Sequence, residues 1–218
     1  MTYFQVIGKM PEPGQAAVLD ACLVTLMEHG LTPSVLATRL VYSSAPEAMQ
    51  SAVAAGILAV GSVFVGTVEG CASLLAQMLA AQGGLEAEAR RIALDHKAER
   101  RAIPGFGHPV HKPDDPRSAR VFEVAEENGV SGRHIAALRV LAREVDAAYG
   151  KHITINATGA VAAALGDCGV PAEIMRGFAI LARCAGLVGH VLEEQSKPTL
   201  EAIWQSAERA VPYDGKVQ

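Results

Sequence analysis

The stretch Ile103-Pro-Gly-Phe-Gly-His108-Pro-Val-His111-Lys-Pro-Asp-Asp-Pro116-Arg117 decides how this chain reads. It holds four prolines and two glycines, with two histidines, a lysine, two aspartates and an arginine among them. Proline removes a backbone donor and clashes with the preceding turn, so no helix runs through this segment. It is a constrained loop. Rigid loops that carry His and Arg are where binding and chemistry concentrate.

On either side of the loop the pattern is helical. Residues 15–29 place Val18, Leu19, Cys22, Leu23, Leu26 and Met27 on one face at helical spacing, and Gly30 stops the run. Thr32-Pro33 reads as an N-cap followed by proline in the first turn. Ser44 and Glu47 read as a capping box that opens a helix over residues 46–60. Gly83-Gly84 splits a pair over 66–82 and 85–101. Asp115-Pro116 starts a helix to about residue 127. Ser131 is expected to cap the next, which ends at Gly150. Further helices are expected from Asn156, over 171–184, 190–195 and 199–207. The alternation in 151–155 is too short to make a sheet. The fold class is therefore all-α.

Half of the 218 residues are hydrophobic, only 5% are aromatic, and alanine dominates the apolar set. Small residues let helices approach closely. The net charge is −4. With no basic stripe, a nucleic-acid partner is not expected. The longest apolar stretch, 52–65, is short and broken by glycine, so no membrane partner is expected. Cys22, Cys71, Cys168 and Cys184 lack CxxC spacing. They read as reduced, mostly buried thiols in a cytoplasmic chain without a signal peptide. His108 and His111 could pair on a metal, but no carboxylate stands at a recognisable ligand spacing, so no metal is expected.

Pro104-Gly-Phe-Gly-His108 followed by Asp115-Pro-Arg117 resembles the PG(F/Y)GH…DPR signature of the citrate synthase superfamily. Other segments follow in order. Glu28-His29 resembles the family's Asp-His-Glu turn. Gly61-Ser-Val-Phe64-Val-Gly66-Thr-Val-Glu69 resembles its GPLHGGANE segment. Asn156-Ala-Thr158 resembles its NVD element, and Phe178 through Arg183 to His190 resembles FAxxRxxGWxAH. The compact size, Thr154-Ile-Asn156 and the glycine after the triplet are similar to the citryl-CoA lyase branch. The resemblance implies a two-domain helical fold: 1–65 with 170–218 as the large domain, and 66–169 as the small one. It further implies a homodimer, a site at the domain cleft, and coenzyme A as a thioester substrate beside a di- or tricarboxylate. Tyr3–Pro11 resembles a point well inside the family pattern, so an N-terminal family segment is expected to be missing.

By that resemblance His108 holds the substrate's hydroxyl or carbonyl oxygen, with Gly105 and Gly107 letting backbone approach the ligand. Arg117 and Arg183 bind carboxylates, which a planar guanidinium can do in bidentate fashion. His29 contacts substrate oxygens. Lys112 falls where the family has a coenzyme phosphate-binding cation, with Arg101, Lys97 and Arg100 nearby. Arg209 stands next to the place of the family's partner-subunit arginine.

Two positions depart from the pattern. Phe64 replaces the histidine that donates to the thioester enolate, a change that favours the lyase branch. Thr158 replaces the aspartate that moves the enol proton, and a hydroxyl cannot shuttle protons near neutrality as a carboxylate does. Glu69 and water are alternative proton carriers. The expected function is citryl-CoA lyase-like carbon–carbon cleavage. A CoA- and tricarboxylate-binding subunit without catalysis is the alternative. A plain helical interaction protein leaves the 103–117 loop unexplained.

Overall fold

The computed structural model describes residues 1–211 and Gly215. Among them there are eleven α-helices, one 3-10 turn (Ala172–Ile174) and no strand. The contacts divide the chain into two compact units: 1–28 with 61–182, and 29–60 with 183–218.

The first unit holds α1 (Thr2–Ile7), α2 (Pro13–Met27), α5 (Thr67–Ala80), α6 (Leu85–Ala98), α7 (Pro116–Glu127), α8 (Arg133–Tyr149), α9 (Ala157–Asp167) and the start of α10 (Met175–Ser196). Helix α9 is its axis: α2, α5, α7 and α8 all pack on it. Ala160 to Leu165 are fully buried, and four of those six are alanine. Small side chains are what allow four neighbours to close on one helix. The core continues through Leu75, Ile135, Leu138 and Leu141. The second unit holds α3 (Pro33–Ser44), α4 (Met49–Leu58), the rest of α10 and α11 (Leu200–Ala210). There α3 and α4 pair closely at Gly56, where a Cβ would stand 2.0 Å from the Thr38 hydroxyl and 2.7 Å from Leu187.

Several boundaries differ from the sequence reading. The capping box at Ser44 does not form: α3 runs through Ser44, whose hydroxyl donates back to the Leu40 carbonyl, and α4 starts only at Met49. Ser131 does not cap α8. Asp167 reaches over from the end of α9 and accepts from the backbone N–H groups of Gly132, His134 and Ile135, so the cap is tertiary. The helices expected over 171–184 and 190–195 are one helix, α10. Its glycines cost about 1 kcal/mol each, which burial of Ala182, Leu187 and Val191 outweighs. The segment 172–196 is also long and apolar enough to span a membrane by length and composition, contrary to the expectation that no stretch would be. A core helix passes the same test, and 44% of its apolar window is buried in the fold.

Candidate functional site

The 103–117 loop lies in the first unit and is stitched to the start of α9. Gly107 N–H donates to the Thr154 carbonyl (2.8 Å) and Asn156 N–H to the Gly105 carbonyl (3.0 Å). The Asn156 side-chain amide donates to the Gly107 carbonyl (2.9 Å). Ser118 closes the far end by donating to the Ile155 carbonyl. Gly105 sits at φ +87, and a Cβ there would stand 2.6 Å from the Cys71 sulfur and 2.9 Å from the Gly159 Cα. Glycine is required on both counts. Cys71 is fully buried, and burial pushes its thiol up to about 12, so it fills space and stays protonated.

His108 stands at the loop's turn. Its Nδ1 accepts from the backbone N–H groups of Val110 (3.1 Å) and His111 (2.9 Å). A nitrogen that accepts carries no hydrogen, so neutral His108 is protonated on Nε2. That Nε2 lies 3.3 Å from Nη2 of Arg117. Both groups are therefore donors, and an oxygen bearing negative charge could accept from both.

Arg117 is aimed by Asp115. The carboxylate is 1% exposed and takes the guanidinium through Nε (3.0 Å) and Nη2 (2.8 Å), while also accepting from the backbone N–H groups of Arg117 and Ala157. Burial alone would raise this carboxyl. The Arg117 side chain and backbone outweigh it and hold the group below its usual value. Asp115 thus caps α7, fixes Arg117 and ties both to α9. Arg117 keeps Nη1 and one Nη2 hydrogen for a ligand.

Asp115 also brings the carboxylate that the sequence did not reveal: ligand atoms of His108, His111 and Asp115 lie within 4.8 Å of one another. The chemistry of the set does not suit a metal. Both Asp115 oxygens are taken, Nδ1 of His108 is taken, and a guanidinium stands beside Nε2. A divalent cation would have to displace all three.

The replaced proton carriers lie close by in the same unit. The Thr158 hydroxyl is 2.7 Å from the Asn156 side-chain oxygen and 2.9 Å from the Thr67 hydroxyl. That amide oxygen only accepts, so Thr158 donates to Asn156 and receives from Thr67. Thr158 has no proton left to offer. Phe64 is 51% exposed on a tight 61–66 loop, next to Val65 at φ +64. Left-handed backbone is strained for a β-branched residue and concentrates at functional sites. Glu69, the alternative carboxylate, has Oε2 2.7 Å from Nε of Arg176. It is an ion-pair partner and not an uncommitted acid. Neither Thr67 nor Arg176 carried a sequence signal.

The coenzyme-binding candidates are less built. Lys112 is exposed on the loop, and Arg101 is exposed and paired with Glu99. Lys97 is exposed and caps the end of α8 through the Ala148 carbonyl. In the second unit Arg183 is 4% exposed, with Nη1 held at 3.2 Å by both the Thr32 and Ser34 hydroxyls. His29 belongs to the same unit, and Arg209 lies exposed in the last turn of α11, with a hydrogen bond to the Ser206 hydroxyl. His190 accepts from Arg39, which also pairs with Glu193 and Glu194.

Comparison with known proteins follows the same lines. Residues 2–205 match the family model described as citrate synthase, C-terminal domain. The chain is 27% identical over 211 residues to the 2-methylcitrate synthase of Shewanella oneidensis, covering 94% of this chain and 55% of that protein. It is 28% identical over 199 residues to the citrate synthase of Synechocystis, covering 88% and 48%. The chain thus spans about half the length of the curated relatives it matches. Among solved structures, the citryl-CoA lyase of Hydrogenobacter thermophilus superposes with a TM-score of 0.87 at 29% identity, over all of this chain and 83% of that one. The chain belongs to the citrate synthase family.

Proposed function

We propose that this chain is a CoA-dependent carbon–carbon lyase of the citryl-CoA lyase type, cleaving citryl-CoA or a close analogue to acetyl-CoA and oxaloacetate. One observation carries the reading. His108 Nε2–H and Arg117 Nη2 are held 3.3 Å apart as two donors, the first set by the Nδ1 contacts of its turn and the second aimed by Asp115. Cleavage needs such a place. The tertiary hydroxyl loses its proton to water, its oxygen becomes the carbonyl of oxaloacetate, and the adjacent C–C bond breaks. That bond's electron pair passes to the thioester as an enolate, which takes a proton on carbon. The paired donors stabilise the oxygen while it is anionic, and prepositioned donors of this kind supply most of such a barrier reduction.

The proton for the enolate carbon does not come from Thr158, whose hydroxyl is committed to Asn156. Water is the carrier in this reading, at a cost of about 10²–10⁴-fold relative to a carboxylate. The same observation favours a second reading, in which the protein binds CoA and tricarboxylate without turnover, as a partner or regulatory subunit. Incubation with citryl-CoA, following oxaloacetate release, separates the two. Release above the buffer rate, increased by Thr158→Asp, is expected for the lyase. Tight CoA binding by calorimetry, with release at the buffer rate for wild type and Thr158→Asp alike, sinks it.

A further inference from the structure

Cleavage passes negative charge to the thioester oxygen, and neither replaced position meets it. Phe64 has no donor, and Thr158 has spent its proton. Arg176 stands at Gly66, two residues after Phe64 and one before Thr67. A Cβ added to Gly66 would come 3.1 Å from its Nε, so the guanidinium covers the end of the 61–66 loop that carries Phe64. Gly66 precedes Thr67, the residue whose hydroxyl holds Thr158.

Three features set Arg176 apart from an ordinary surface cation. It is the second residue of α10, where the helix dipole disfavours positive charge. Its one ion-pair partner among the described residues is Glu69, and that contact is poorly used. Nε lies 2.7 Å from Oε2, yet the angle is too far off for a hydrogen bond, and Nε has no other partner. The side chain is still 37% exposed, and neither Nη group has a hydrogen bond among the described residues. A surface strut tying α10 to α5 would align its N–H groups on the carboxylate. This guanidinium pairs with the carboxylate by charge and leaves Nε unaligned on it.

We infer that Arg176 is the oxyanion-binding residue of this chain: it takes the thioester oxygen of an acyl-CoA as that oxygen becomes an enolate, in place of the histidine that Phe64 replaces. Glu69 holds it over Gly66 and tempers its charge. A guanidinium stabilises the anion by charge and hydrogen bonding without giving up its proton. This rests on the proposed CoA-thioester chemistry and adds the group that replaces its missing donor.

Calorimetry on the whole chain with two probes tests it. The probes are CoA and carboxymethyl-CoA, whose carboxylate places negative charge where the enolate oxygen forms. Wild type is expected to prefer carboxymethyl-CoA. Arg176→Gln is expected to cut that preference about 10- to 100-fold while leaving CoA affinity within about twofold and the urea midpoint unchanged. Glu69→Gln is expected to keep or raise the preference. An undiminished preference in Arg176→Gln overturns the assignment and leaves the lyase reading standing. So does equal loss of affinity for both probes, which marks a structural strut. If Arg176→Gln does not fold, Arg176→Met serves: it keeps an unbranched stem and removes the charge, and a preference equal to wild type there also overturns the assignment. A wild type that binds neither probe defeats the CoA reading itself, and this inference with it.

Discussion

His108 shows how much one side chain's chemistry depends on its backbone surroundings. Two N–H groups from the following turn decide its tautomer. The expected outcome in a nitrogen-resolved NMR experiment is a bare Nδ1 and a protonated Nε2 at neutral pH. The opposite tautomer would place an acceptor beside Arg117 and remove the two-donor arrangement. Gly105 is the second test at this scale. Alanine there meets the Cys71 sulfur at 2.6 Å and must hold φ +87. A loss of about 2 kcal/mol or more is expected by urea denaturation. The histidine, the glycines and Arg117 were legible as candidates from the make-up of their loop and its resemblance to the family signature. Asp115 was legible only as a cap. That it also aims Arg117 became visible once the loop was folded onto α9.

At the scale of elements, two links hold the site's frame. Asp167 caps α8 with three backbone N–H groups and the His134 Nδ1. Burial would raise its carboxyl, but His134 and those N–H groups outweigh burial and lower it. Asp167→Asn is expected to cost about 1–2 kcal/mol, read as a lower urea midpoint with an unchanged slope. His152 is the other link. It bonds Asp146 at the end of α8 (2.7 Å) and Asp114 in the signature loop (3.0 Å), and these two carboxylates raise it above its usual value of 6.5. A raised group stabilises below its unfolded value, and that contribution is lost as pH rises through the folded one. The thermal midpoint of wild type is therefore expected to exceed that of His152→Ala at mildly acid pH, with the gap closing above the shifted value. A gap that grows with pH would contradict the two-carboxylate clamp. Sequence placed most helices but not these links. Ser131 looked like the cap because it precedes the helix, while the true cap comes from thirty-odd residues away.

For the whole molecule the acid side of the stability profile is set by buried carboxylates in both units. Asp115 and Asp167 in the first and Glu194 in the second are all held below their usual values. In each case hydrogen bonds outweigh the opposing effect of burial. For Glu194 those bonds come from Thr199, Arg39 and Ser43. Lowered carboxylates stabilise above their unfolded values, and the contribution is lost as pH falls through the folded ones. Stability is expected to be level near neutrality and to drop below about pH 4, measured as urea midpoint against pH. Asp167→Asn should flatten that drop. An acid limb equal in mutant and wild type would remove Asp167 from the account.

By itself the sequence determined an all-helical chain, a rigid proline- and glycine-bound loop bearing His108 and Arg117, and two family positions whose chemistry has changed. The first two follow from local rules, what proline forbids and what periodicity buries; the third follows from resemblance to the family pattern together with what a hydroxyl or a phenyl ring can do. Only the tertiary structure decided that Asp115 aims Arg117, that Thr158 has given its proton away, and that Arg176 covers Gly66. Hydrogen-bond direction and charge pairing depend on which distant side chains arrive within about 3 Å, and no spacing along the chain encodes that.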